Sequence, residues 1–180
     1  MANEPQPCHD KRIIDIDMRI EAGDWSMVDE LESTVNATFS TIMLNRSFCN
    51  AVKIMEDCDV SLLFTDESQI SSINSTFRGQ KKPTNVLSFP QKEADCDIFG
   101  PHLGDIVLAF ETILREAELE KKDFSHHLQH LMVHGFLHLV GFDHESDDEA
   151  VIMENLEIDI LRDLDIDNPY FDPQKDTTER

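Results

Sequence analysis

Paired cysteines, long apolar runs and basic residues are all scarce in this chain of 180 residues. The four cysteines (Cys8, Cys49, Cys58, Cys96) are scattered with no Cys-x-x-Cys pair. That excludes a disulfide framework and a cysteine-built metal knuckle, and it predicts free thiols in a reducing compartment. No apolar stretch approaches the roughly 20 residues that span a bilayer, and the opening MANEPQPCHDKR has no apolar core for a signal peptide. A soluble, cytoplasmic protein with no membrane partner is expected. Fifteen Lys and Arg stand against 37 Asp and Glu, a formal net charge of −22. Such a charge repels polyanions and favours basic partners. It is unevenly spread. Residues Asp143 to Asp165 hold ten acids and one base, Arg162, whereas Thr76 to Lys92 hold four bases (Arg78, Lys81, Lys82, Lys92) and no acid. Internal repeats and low-complexity linkers are also missing. One domain over 11–171 is expected, between disordered tails at 1–10 and 172–180.

Apolar residues alternate with charges from Ile13 to Ile20, the period-two pattern of a half-buried strand. Helical spacing predicts a helix from Ser26 to about Leu44. Asp59–Thr65 reads as a second strand, and Asp66 opens a helix that stops at Gly79. Asn85–Phe89 is a third strand, ended by Pro90, and residues 91–102 read as a mobile loop. Asp105–Phe110 is the fourth strand. Helices are predicted over Thr112–Lys122, about Ser125–Leu139 and about Asp147–Leu164. This order predicts an α+β fold, one mixed four-stranded sheet covered by helices.

Leu131 to Phe142 is apolar all round except for His134 and His138, one helical turn apart on one face of a buried helix. Buried imidazoles need partners, from hydrogen bonds or from a metal. By itself the His-x3-His spacing fits either. Gly141 can end the helix and reverse the chain, and His144 then lies close enough to join the other two. Three imidazoles around one ion leave a fourth position open for water, the construction of catalytic zinc sites; nickel or copper would also be accepted. The metzincin proteases share this spacing but carry a Glu general base after the first histidine, where this chain has Gly135. A metallopeptidase therefore loses its base. His130 shares the face of His134 and suits an alternative or an outer-shell ligand, although solvent exposure is the simpler expectation for His126, His127 and His130. His9 and His102 read as loop residues. Asp143 suits either a role orienting a ligand ring or a flanking position before the last helix, and Glu145 to Glu149 read as the charged start of that helix.

Arg78 to Pro90 fits a solvated turn as well as an anion site in which Arg78 pairs two phosphate oxygens and Thr84, Asn85 and Ser88 add neutral donors. Arg78-Gly, Pro83-Thr-Asn-Val-Leu-Ser-Phe89, Leu103-Gly-Asp-Ile106, His134-Gly-Phe-Leu-His-Leu-Val-Gly-Phe-Asp-His144 and Asn168-Pro-Tyr170 together resemble the YbeY family of bacterial metal-dependent endoribonucleases. The resemblance implies an α+β fold and a zinc ion on His134, His138 and His144. It implies a single-strand-selective nuclease acting on ribosomal RNA, not DNA, in rRNA maturation and ribosome quality control, in contact with small-subunit ribosomal protein. The family's important arginine falls on Arg78, to which phosphate binding or charge stabilisation in the transition state is assigned. The acidic excess makes docking through a basic ribosomal protein attractive. The rival readings are a metallopeptidase and a non-enzymatic ribosome-assembly factor with a structural metal.

Overall fold

The structure, a computed structural model, describes residues 13–91 and 98–171. The expected tails and half of the expected 91–102 loop, residues 92–97, lie outside the described residues. In β1 (Ile13–Ile20), Ile14, Ile16 and Met18 turn toward the core while Asp15, Asp17 and Arg19 stay exposed. β2 (Asp57–Thr65) buries Cys58, Val60, Leu62 and Phe64 at every second position. β3 (Val86–Pro90) and β4 (His102–Ala109) complete a four-stranded sheet of order β1-β2-β4-β3. The β1–β2 and β2–β4 pairs are parallel and β3–β4 is antiparallel, so the expected mixed sheet is present and β3 is an edge. β4 begins earlier than expected, so His102 is not in a loop. It is the strand's first residue, and its Nδ1 lies 2.5 Å from Asp59 Oδ1 on the neighbouring strand.

The two faces of the sheet are covered unequally. On one, α1 (Leu31–Leu44) and α5 (Phe124–Leu139) pack over Val60, Leu62, Phe64, Ile106 and Leu108. On the other, α3 (Glu67–Arg78) lays Ile70 against Leu87, Val107 and Ala109. α5 is the central helix, in contact with α1, α4 (Phe110–Glu120), α6 (Asp147–Asp163), β3 and β4. Its Leu128, Met132, Val133, Phe136 and Leu137 are wholly buried, each stabilising the fold by roughly 1.5–3 kcal/mol. Among the described residues no helix is long and apolar enough to cross a membrane.

Two elements differ from expectation. The helix predicted from Ser26 is split into a 3₁₀ turn, Trp25–Met27, and α1, because Glu30 takes a left-handed conformation (φ 54°) between them. The turn docks Trp25 edge-on against Phe64 and Phe110. A short helix, α2 (Arg46–Ala51), was not expected. Asn45 caps it by accepting from Phe48 N at 2.9 Å, and Phe48 is fully buried. Six residues are too few to display a period.

Candidate metal centre

α5 puts His134 and His138 on one face at successive turns, their ring centroids 4.7 Å apart. The helix ends at Leu139, and Gly141 (φ 89°) turns the chain back, with Phe142 N donating to Leu137 O at 3.1 Å. His144 thereby returns to 5.5 Å from the His134 ring and 5.0 Å from the His138 ring. One nitrogen from each of the three lies within 4.8 Å of the others, a grouping able to hold a metal ion. His134 Nε2 and His138 Nε2 are 3.1 Å apart, near the ~3.3 Å edge of a tetrahedron with bonds of about 2.0–2.1 Å.

The outer nitrogens decide what the inner ones can do. His138 Nδ1 lies 3.0 Å from Phe142 O, and a carbonyl only accepts, so the proton is on Nδ1. His134 Nδ1 lies 2.8 Å from Glu157 Oε1. Burial works to raise the Glu157 carboxyl, but hydrogen bonds from His130 and His134 outweigh it and bring it to about 2. It is therefore an acceptor, and His134 Nδ1 also carries its proton. Two bare lone pairs then face each other across 3.1 Å, an arrangement that calls for a cation between them. Burial first, and then the repulsion that further protonation of the His134–His138–His144 cluster would bring, lower the His138 pKa and favour its neutral, ligating form. The donor set fits a borderline transition metal such as zinc.

A cleft of about 480 Å³ opens beside these rings, lined by Arg78, Ser88, Pro90, His138, His144 and their neighbours. Arg78 arrives from the last turn of α3. The buried Asn74 fixes the turn that follows, accepting from Gln80 N and donating to Lys82 O at 2.9 Å. Arg78 Nη2 reaches Ser88 O at 3.5 Å. Of the three neutral donors expected there, only Ser88 lines the cleft, and its hydroxyl is engaged by Gly135 O at 3.0 Å. Asn85 donates instead to Glu116 at 2.9 Å, and Thr84 to Asn85.

The other histidines correct the expectation of exposure, which holds for His126 alone. His127 is 6% exposed, its Nε2 3.0 Å from Glu116 Oε2. His130 Nε2 lies 2.9 Å from Glu157 Oε2. Asp143 accepts from the backbone N–H of His144 at 2.8 Å and bonds no imidazole among the described residues. Ser146 and Glu149 form a reciprocal capping box at the start of α6, as the acids there suggested. Sequence reasoning missed Glu157. The available signal was an acid on the buried stripe of Met153, Leu156, Ile160 and Leu161.

Fold and site together define an α+β protein that presents three convergent imidazoles, two of which, His138 and His144, share a cleft with an arginine, Arg78. The family model described as Endoribonuclease YbeY matches residues 24–165, and the chain belongs to that family. It is 46% identical over 166 residues to an Endoribonuclease YbeY of Sinorhizobium medicae, covering 88% of this chain and 96% of that protein. With another from Bartonella henselae it shares 44% over 159 residues, 88% of this chain and 98% of that one. The solution structure of TM1509 from Thermotoga maritima aligns over 89% of this chain and all of that one, with a TM-score of 0.50 and 24% identity, a likeness of fold.

Proposed function

We propose that this chain is a metal-dependent endoribonuclease that cleaves single-stranded RNA in ribosomal RNA maturation in the cytoplasm. The observation that carries this reading is the shared cleft, lined by Arg78 together with His138 and His144. His134, His138 and His144 would hold one zinc ion. Such an ion supplies a Lewis acid for a phosphoryl oxygen and acidifies water at neutral pH. Arg78 offers N–H donors and no acceptor, so its part is to bind phosphate oxygens and stabilise charge that develops on them. The β3 backbone at Ser88 steadies that guanidinium. Flexible single strands suit an open cleft beside an edge strand.

The charge of −22 supports recruitment through a basic small-subunit ribosomal protein rather than tight binding to RNA alone. The peptidase alternative is not favoured, because position 135 faces β3 and β4, where a Cβ would meet Ser88 Oγ and Ile106 Cγ2 at 3.1 Å. The test pairs elemental analysis with cleavage of unstructured and structured RNA, with and without chelator. His138→Ala is expected to lose both metal and cleavage, whereas Arg78→Ala keeps the metal and loses cleavage by two orders of magnitude or so, the scale of ~10²–10³ for one charge-stabilising donor. Full nuclease activity in metal-free His138→Ala protein overturns the reading. An Arg78→Ala protein that still supports ribosome maturation points instead to a non-enzymatic assembly factor.

A further inference from the structure

Glu157 is wholly buried, at 0% exposure, on α6. An unpaired carboxylate there would cost several kcal/mol, and three donors meet it. His134 Nδ1 bonds Oε1 at 2.8 Å, His130 Nε2 bonds Oε2 at 2.9 Å, and the Tyr170 hydroxyl also donates to Oε2. With both oxygens held, the carboxylate cannot rotate. Tyr170 is itself placed by the turn at Asn168, whose Oδ1 accepts from Tyr170 N at 2.8 Å. The capping box at Ser146 and Glu149 sets where α6 begins, and with it the register that turns position 157 inward.

The three rings of the centre are oriented by different means. His138 leans on a backbone carbonyl, Phe142 O, at 3.0 Å. The His144 ring, which is exposed, has no hydrogen-bonded partner among the described residues. His134 alone depends on a side chain that a substitution can remove. We propose that Glu157 is the positioning residue of this centre, locking the His134 ring with Nδ1 protonated and Nε2 bare and aimed at the site. This rests on the reading of the three histidines as metal ligands. A buried cross-link of purely structural value would stabilise the fold but leave the ring's tautomer and the metal affinity of the folded protein unchanged. Carboxylates that hold a ligand imidazole typically contribute 10–100-fold in metal affinity.

The test uses the full chain. Long-range ¹⁵N spectra of the metal-free protein report which ring nitrogen of His134 carries the proton, and zinc titration against a competing chelator reports affinity. Wild type is expected to show His134 protonated at Nδ1. Glu157→Leu is expected to mix the two tautomers and to weaken zinc about 10–100-fold while circular dichroism stays that of the folded protein. Glu157→Gln keeps an acceptor oxygen, and it is expected to keep the tautomer and recover most of the affinity. A folded Glu157→Leu protein with unchanged tautomer and wild-type affinity overturns the proposal, as does Glu157→Gln behaving like Glu157→Leu in both measurements. Should Glu157→Leu not fold, Glu157→Gln decides: a retained tautomer supports the role and a lost one ends it. A wild-type protein that takes up no zinc overturns the metal reading and this proposal together, whereas zinc uptake that ignores position 157 overturns only the latter.

Discussion

A Cβ built on Gly135 would meet Ile106 Cγ2 and Ser88 Oγ at 3.1 Å and Val86 Cγ2 at 3.3 Å. The residue after the first histidine is thus where β3 presses onto α5, and the ligand frame turns its other side to the cleft. Gly135→Glu, which restores the metzincin pattern letter for letter, would force a charged side chain between helix and sheet. It is expected to lower stability by roughly 3 kcal/mol or more, read from the urea midpoint, and to create no peptidase activity. Metal-dependent peptide cleavage by a folded Gly135→Glu protein would contradict this placement. The histidine frame was readable because all of its parts lie within eleven residues. Glu157 was not, because its meaning comes from His130, His134 and Tyr170, which other elements bring to it.

Between elements, α3 and α4 are tied by Glu67, whose Oε1 accepts from Thr112 Oγ1 at 2.7 Å and from Arg115 Nη2 at 2.6 Å. Those two hydrogen bonds hold its carboxyl below the ordinary value. A carboxyl lowered on folding stabilises the protein above its unfolded pKa and loses that contribution as pH falls through the folded one. Glu67→Gln is therefore expected to lower the Tm near neutral pH, with the gap to wild type closing at the acid end. A constant gap across the acid range would show that the pair contributes through packing alone. Strand alternation and helix spacing made most elements legible, β1 to the residue. What stayed hidden were features decided at long range or over few residues. The Trp25 turn exists because Phe64 and Phe110 receive the indole. The N-terminal half of α5 looks solvated in sequence, yet Glu116 of α4 and Glu157 of α6 cover His127 and His130.

For the whole molecule, a charge of −22 sets how RNA can be engaged. Four basic residues lie between Thr76 and Lys92, and each phosphate contact to a single strand contributes about −0.7 to the slope of log affinity against log salt. The slope for RNA binding is expected to be no steeper than about −3, flattened further at low salt by repulsion from the acidic body. A markedly steeper slope in a filter-binding series would mean that a larger cationic surface engages the strand. The central position of α5 carries a last consequence. Its inner residues are sealed between the sheet and three other helices, so its amides should exchange with solvent only when the entire chain opens. Two of the three imidazoles ride on that slowest-opening segment, while His144 sits on an exposed one. Mild denaturant should therefore loosen the His144 arm first, leaving a two-legged seat that survives until the last cooperative unit gives way.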